Sequence, residues 1–97
     1  MSTIEHHTVS IPSGNPLPVV GGVSEQSGPV AVVTANIHGD ETTGIGVVHN
    51  LIRVLPDLLL RGSVVLYPTL NPAGLVANRR VVPGDGQDLN RMFPGKP

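Results

Sequence analysis

An α/β fold with a mixed sheet and one parallel βαβ unit is predicted by three features of the 97-residue sequence. Apolar residues alternate near the N terminus, two continuous runs rich in valine follow, and between those runs apolar residues recur at helical spacing. Val9 and Ile11, then Leu17, Val19 and Val23, occupy alternate positions on either side of "PSGNP", whose Pro, Gly and Asn suit a turn. Two antiparallel strands are expected there. After the turn-rich "SEQSGP", Val30 to Ile37 opens with continuous rather than alternating apolar residues, the pattern of a strand covered on both faces. Ile45, Val48, Leu51, Ile52 and Leu55 then follow three- and four-residue steps, which predicts a helix with one buried face. Pro56 should limit that helix, with "DLLL" adding at most a turn. Gly62 introduces "SVVLYPTL", a second buried strand, and a strand, helix and strand in this order make a right-handed crossover with parallel strands.

The remaining third reads as loops and one short helical turn. "NPAGLVANRR" starts with an Asn-Pro turn, and "PGDGQ" is a loop by composition. No repeat, low-complexity tract or linker divides residues 1–97, and the chain is long enough to bury roughly 60–70% of its unfolded surface. It ends just after the polar segment "RMFPGKP" rather than after a closing element, so a domain truncated at its C terminus is expected.

Composition narrows the function. Six Lys and Arg against seven Asp and Glu give a net charge of −1 without a run of like charge, which argues against nucleic-acid and acidic-membrane partners. One Tyr, one Phe and no Trp disfavour stacking platforms for bases. Without cysteine there is no disulfide or thiolate ligand, so a metal would be held by histidine, carboxylate and water. No apolar stretch approaches the ~20 residues of a bilayer span, and "MSTIEHHTVS" does not look like a signal peptide, so a soluble cytoplasmic protein is expected.

"NIHGDETTG" at 36 to 44 places His38, Asp40 and Glu41 where the first valine-rich strand gives way to the helix. Ligands of open α/β sheets gather beyond such strand ends. An imidazole and a carboxylate three residues apart can face a common point as N and O ligands suited to Zn²⁺. Equally, Asp40 could cap the helix and Glu41 favour its positive N terminus. A second cluster, "DLNR" at 88 to 91, follows Arg79 and Arg80. Arg91 could bind a carboxylate through two parallel hydrogen bonds and Asn90 could add a third, or the segment could be a solvated loop with a local salt bridge.

Taken in order, "NIHGDETTG", "LYPTLNPAGL" and "DLNRMFPG" resemble the amino-terminal part of the succinylglutamate desuccinylase and aspartoacylase family, zinc-dependent amidohydrolases related to the zinc carboxypeptidases. The resemblance runs from about Val30 to Gly95. It implies a partial three-layer α/β/α fold of the zinc-carboxypeptidase type. It also implies one zinc ion with His38 and Glu41 as its first two ligands and Asp88 as a carboxylate accepting a hydrogen bond from the ligating histidine. By the same resemblance Asn90 and Arg91 hold the substrate's carboxylate. Arg80, with Arg79 close behind, would polarise the scissile carbonyl, because "VVPGDGQ" leaves the alignment open there. The implied reaction is hydrolysis of an N-acyl amino acid, with peptide cleavage by a zinc carboxypeptidase as the alternative.

The family's third ligand, a histidine, and its general-base glutamate lie farther along the chain, but here no histidine follows His49 and no acidic residue follows Asp88. His6 and His7, adjacent on a strand, point to opposite faces, so at most one could substitute. His49 lies roughly 12 Å along the helix axis from Glu41. The chain alone should therefore be inactive and bind zinc weakly, and its unpaired strand edges should favour self-association. A non-catalytic carboxylate-binding module is the rival from another class. Gly44 and Gly46 are assigned to close packing of the helix on the sheet, and Asn71-Pro72 to a turn.

Overall fold

The computed structural model describes residues 2–10 and 16–95. Strands β1 (Thr3–Val9), β2 (Leu17–Val23), β3 (Val30–Thr34) and β4 (Ser63–Tyr67) form one sheet in the order β1-β2-β4-β3. β1 pairs antiparallel with β2 from Thr3 opposite Val23 to Val9 opposite Leu17, as the alternation requires; Ile11 and turn residues 12–15 lie outside the described residues. β2 runs antiparallel to β4, and β3 runs parallel to β4 with Val33 opposite Leu66. Helix α1 (Thr43–Leu58) connects the two parallel strands, so the predicted mixed sheet and βαβ unit are both present.

One face of the sheet is built for α1. Val20 of β2 and Leu66 of β4 stand opposite each other and pack with Val48 of α1, while Ile4, Val33, Leu51, Ile52 and Leu55 surround them. Gly22 brings this face close to the helix, because its missing Cβ would lie 3.7 Å from Leu55 and 3.6 Å from Leu59. At Gly44 a Cβ would stand 3.2 Å from the Ala35 side chain, a tight contact in keeping with close packing of the helix on the sheet. Gly46 departs from the same expectation, since nothing lies within 4 Å of its Cβ position.

One further expectation is corrected. β3 is not covered on both faces: Val30 and Val32 are 64% and 62% exposed. They point away from α1 at the sheet's edge, and no described element covers that face. Continuous apolar sequence records an appetite for cover without saying what supplies it. Helix α1 runs two residues past Pro56 to Leu58, within the turn that "DLLL" is expected to add. Proline removes one helical donor, and here the Ser2 hydroxyl reaches the Leu55 and Pro56 carbonyls at 3.1 Å, tying the N terminus to that last turn. Among the described residues no helix is long and apolar enough to cross a membrane.

A six-residue helix, α2 (Pro72–Ala77), starts from Asn71, whose side chain accepts the Gly74 N–H at 2.9 Å, and Pro72 stands at its first position. The Asn71-Pro72 pair is thus a helix start rather than only a turn.

Candidate metal centre

Where β3 ends, the Ala35 N–H still donates to Tyr67 (3.1 Å), and Asn36 then turns the chain away from the sheet with φ of 57°. Asparagine tolerates this left-handed conformation better than most residues. The turn carries His38, only 8% exposed, and closes with the Glu41 N–H donating to the His38 carbonyl at 3.0 Å. Thr42 is the residue before α1, and the first helical turn holds no acidic residue. Asp40, two positions earlier and exposed, is therefore not the helix cap.

The His38 ring is held from both sides. Its Nδ1 lies 2.8 Å from Glu41 Oε2 and its Nε2 lies 2.9 Å from Asp88 Oδ1. Asp88 reaches this position by opening the short 3-10 turn Leu89–Arg91, and its same oxygen accepts the Asn90 N–H at 2.9 Å. Its other oxygen lies 3.6 Å from Arg80 Nε. His38, Glu41, Asp88 and Arg80 thus form one cluster. Asn90 and Arg91 are exposed in the adjoining turn, where the Arg91 guanidinium donates to the Asn90 carbonyl at 3.5 Å.

Two carboxylates beside one imidazole favour its charged form. The hydrogen bond to Glu41, then that to Asp88, raises the His38 pKa above 6.5, against burial and the Arg80 charge, which lower it. At Asp88, burial pushes the pKa up. The His38 bond, the Asn90 N–H and the charges of His38 and Arg80 together outweigh it and hold the carboxyl below 3.8.

Chemically, Nδ1 of His38 and a carboxylate oxygen of Glu41 converge on one point, an N/O donor pair of the kind that suits Zn²⁺. The Glu41 side chain is 65% exposed, which leaves that point accessible. Keeping the Nε2 proton on the Asp88 side frees Nδ1 to act as a ligand. Among the described residues no third histidine, aspartate or glutamate completes a metal-holding group. His7 pairs with Glu5 at 3.3 Å, while His6 and His49 border an open apolar groove of about 400 Å³ between β2, α1 and α2.

Sequence reasoning missed the buried support beneath the loop. The Asn36 side-chain amide donates to the carbonyls of His38 (3.0 Å), Gly39 (3.2 Å) and Glu41 (2.8 Å), and its oxygen accepts the Thr69 hydroxyl at 2.6 Å. Thr69 accepts the Asn71 N–H at 3.0 Å, and the Asn71 amide reaches the carbonyls of Ile37 (3.4 Å) and Val81 (3.2 Å). Gly39 lies directly on α2: a Cβ there would overlap Gly74 and stand 2.5 Å from the Arg79 carbonyl. Arg79 itself is exposed, with its N–H capping α2 through the Gly74 carbonyl at 2.8 Å. The available signal was three buried polar residues, Asn36, Thr69 and Asn71, each set among apolar neighbours in sequence.

Comparison with known proteins bears on the family and the fold. Residues 27–97 match the succinylglutamate desuccinylase/aspartoacylase catalytic domain. The N-alpha-acetyl-L-2,4-diaminobutyric acid deacetylase of Halomonas elongata is 34% identical over 97% of this chain and 30% of its own length. The succinylglutamate desuccinylase of Erwinia tasmaniensis is 43% identical over 67% of this chain and 19% of its own length. The chain thus spans less than a third of either relative. Among solved structures, an aspartoacylase family protein from Mesorhizobium loti superposes with a TM-score of 0.82 at 32% identity, over 98% of this chain and 31% of that one. The matched region includes the whole His38 cluster and both parallel strands, and on that match the chain belongs to the succinylglutamate desuccinylase/aspartoacylase family.

Proposed function

We propose that this chain supplies the zinc-binding pair and the carboxylate-recognition residues of a site that hydrolyses the amide bond of an N-acyl amino acid. The observation that carries this reading is the His38 ring held between Glu41 at 2.8 Å and Asp88 at 2.9 Å. His38 through Nδ1 and Glu41 through its carboxylate would hold Zn²⁺. When bound, zinc supplies Lewis-acid chemistry to the amide carbonyl and to water. Asp88 keeps the proton on Nε2, fixes the ring's orientation and raises the basicity of Nδ1.

Arg80 has a half-exposed side chain, and its guanidinium stands beside Asp88. From there it can extend to the scissile carbonyl and stabilise the negative charge that develops on oxygen. Asn90 and Arg91 would bind the substrate's α-carboxylate, the guanidinium through two parallel hydrogen bonds and the amide through a third. Asp88 accepts from both the His38 ring and the Asn90 backbone, so one side chain fixes the carboxylate end of the substrate relative to the metal pair. The substrate class is supported by the two relatives, whose names specify an N-acetylated and an N-succinylated amino acid. With two ligands the chain by itself should bind zinc weakly and turn over no substrate.

The test is a chimera in which this chain replaces the matching segment of the Halomonas elongata deacetylase. Zinc-dependent release of an acyl group from an N-acyl amino acid is expected, lost with a chelator and in His38→Ala. A folded, zinc-loaded chimera that removes C-terminal residues from peptides but leaves N-acyl amino acids intact would overturn this reading in favour of a carboxypeptidase.

A further inference from the structure

We infer that Asn36 is a positioning residue: through Thr69 and Asn71 it locks the loop bearing His38 and Glu41 to the end of β4 and to the segment leading from Arg80. This rests on the zinc-pair reading and explains what holds the pair in register. His38 and Glu41 sit on irregular backbone, where no ladder of hydrogen bonds fixes their spacing. The Asn36 amide gathers the carbonyls of His38, Gly39 and Glu41 onto one side chain. Its oxygen is then anchored by the Thr69 hydroxyl, thirty-three residues away at 2.6 Å. Thr69 accepts from the Asn71 N–H, and the Asn71 amide ends on the carbonyls of Ile37 and Val81. Val81 is the neighbour of Arg80, so the relay braces both segments that meet at the His38 cluster.

Burial makes this relay decisive rather than incidental. Asn36, Thr69 and Asn71 are 6%, 6% and 2% exposed, and no buried side-chain polar atom among the described residues lacks a partner. Deleting one member strands the others away from water, where an unmade hydrogen bond is costly. The left-handed φ of Asn36 aims its amide back over the loop, a conformation that glycine can also adopt but without the amide.

The experiment compares Asn36→Gly, Thr69→Val, Thr69→Ser and the core variant Val48→Ala. Imidazole NMR during Zn²⁺ titration reads His38 separately from the other three histidines. Asn36→Gly and Thr69→Val should weaken Zn²⁺ binding at His38 by about 10–100-fold, the usual consequence of losing a support behind a ligand. Thr69→Ser, which keeps the hydroxyl, should restore binding to near the parent. Val48→Ala should lower the melting temperature yet leave the affinity unchanged at a temperature where every variant is folded. Affinities for Asn36→Gly and Thr69→Val within twofold of the parent, or an equal loss in Val48→Ala, would overturn the inference.

A metal-free readout separates this inference from the zinc reading. The Nε2 proton held by Asp88 should be visible in the parent, Thr69→Ser and Val48→Ala, and lost to exchange in Asn36→Gly and Thr69→Val. If Zn²⁺ in large excess over the chain leaves the parent His38 signals unmoved, the zinc reading fails while this proton still decides the role of Asn36. Its persistence in Asn36→Gly and Thr69→Val refutes the positioning role.

Discussion

The imidazole of His38 and the carboxylate of Asp88, fifty residues apart in sequence, meet at 2.9 Å. With Glu41 on the opposite ring nitrogen, this contact favours the charged form of the histidine in the metal-free chain and gives a would-be ligand a fixed orientation.

The bridge makes stability depend on pH. His38 has a raised pKa, so its contribution is complete below about 6.5 and fades as pH rises through its folded value. Asp88 has a lowered pKa, so its contribution is complete above about 4 and fades as pH falls through its folded value. For the metal-free chain, the contribution of this pair should be greatest between about pH 4 and 6.5. Thermal melts across pH should show the dependence flattened in Asp88→Asn, with the His38 titration midpoint moved down in NMR. An unchanged midpoint would remove Asp88 from the account. Zinc should reverse the trend, binding more tightly as pH rises and the proton leaves His38.

Two glycines should respond in opposite directions to alanine. Gly39→Ala drives a methyl into the Gly74 backbone and the Arg79 carbonyl, and overpacking of this kind costs about 1–3 kcal/mol. Gly46→Ala places its methyl in open space on α1 and should gain up to about 1 kcal/mol of helix propensity. Chemical denaturation of both variants checks the pair. Equal effects would show that the contact between Gly39 and α2 does not constrain the loop.

In the deacetylase chimera, Arg91→Ala should chiefly raise KM, by roughly tenfold or more, because it removes carboxylate binding present before and during reaction. Arg80→Ala should chiefly lower kcat, by about 10²-fold or more, because it acts on charge formed in the transition state. Steady-state kinetics with one N-acyl amino acid separates the two, and an interchange of the effects would reverse the assigned roles.

The uncovered sheet face should make the chain associate with itself. Val30 and Val32 expose apolar surface on an edge strand that carries no charge or proline to discourage pairing. Sedimentation velocity should show mass rising with concentration, and Val32→Lys should suppress it. A monomer at every concentration would show that this edge is protected.

Local pattern carried much of the architecture. Alternation about the N-terminal turn, valine runs at 30 and 63 and helical spacing between them correspond to β1 to β4 and α1, because each element needs only its own residues to declare its period. His38 and Glu41 were visible for the same reason, being three residues apart in one loop. Less visible was the exposure of β3. Exposure depends on what lies against an element, and no period along the chain records that.

The sequence by itself determined the order and kind of the elements and placed an imidazole, two carboxylates and two arginine-bearing segments in loops. Only the tertiary structure decided that Gly39 lies on α2 and that Asn36 is tied to Thr69, and it brought Asp88 to 2.9 Å from the His38 ring, a contact that the family resemblance implies. Periodicity is a property of neighbours along the chain. Contacts across fifty or thirty-three residues are fixed by how the parallel crossover brings the ends of β3 and β4 side by side.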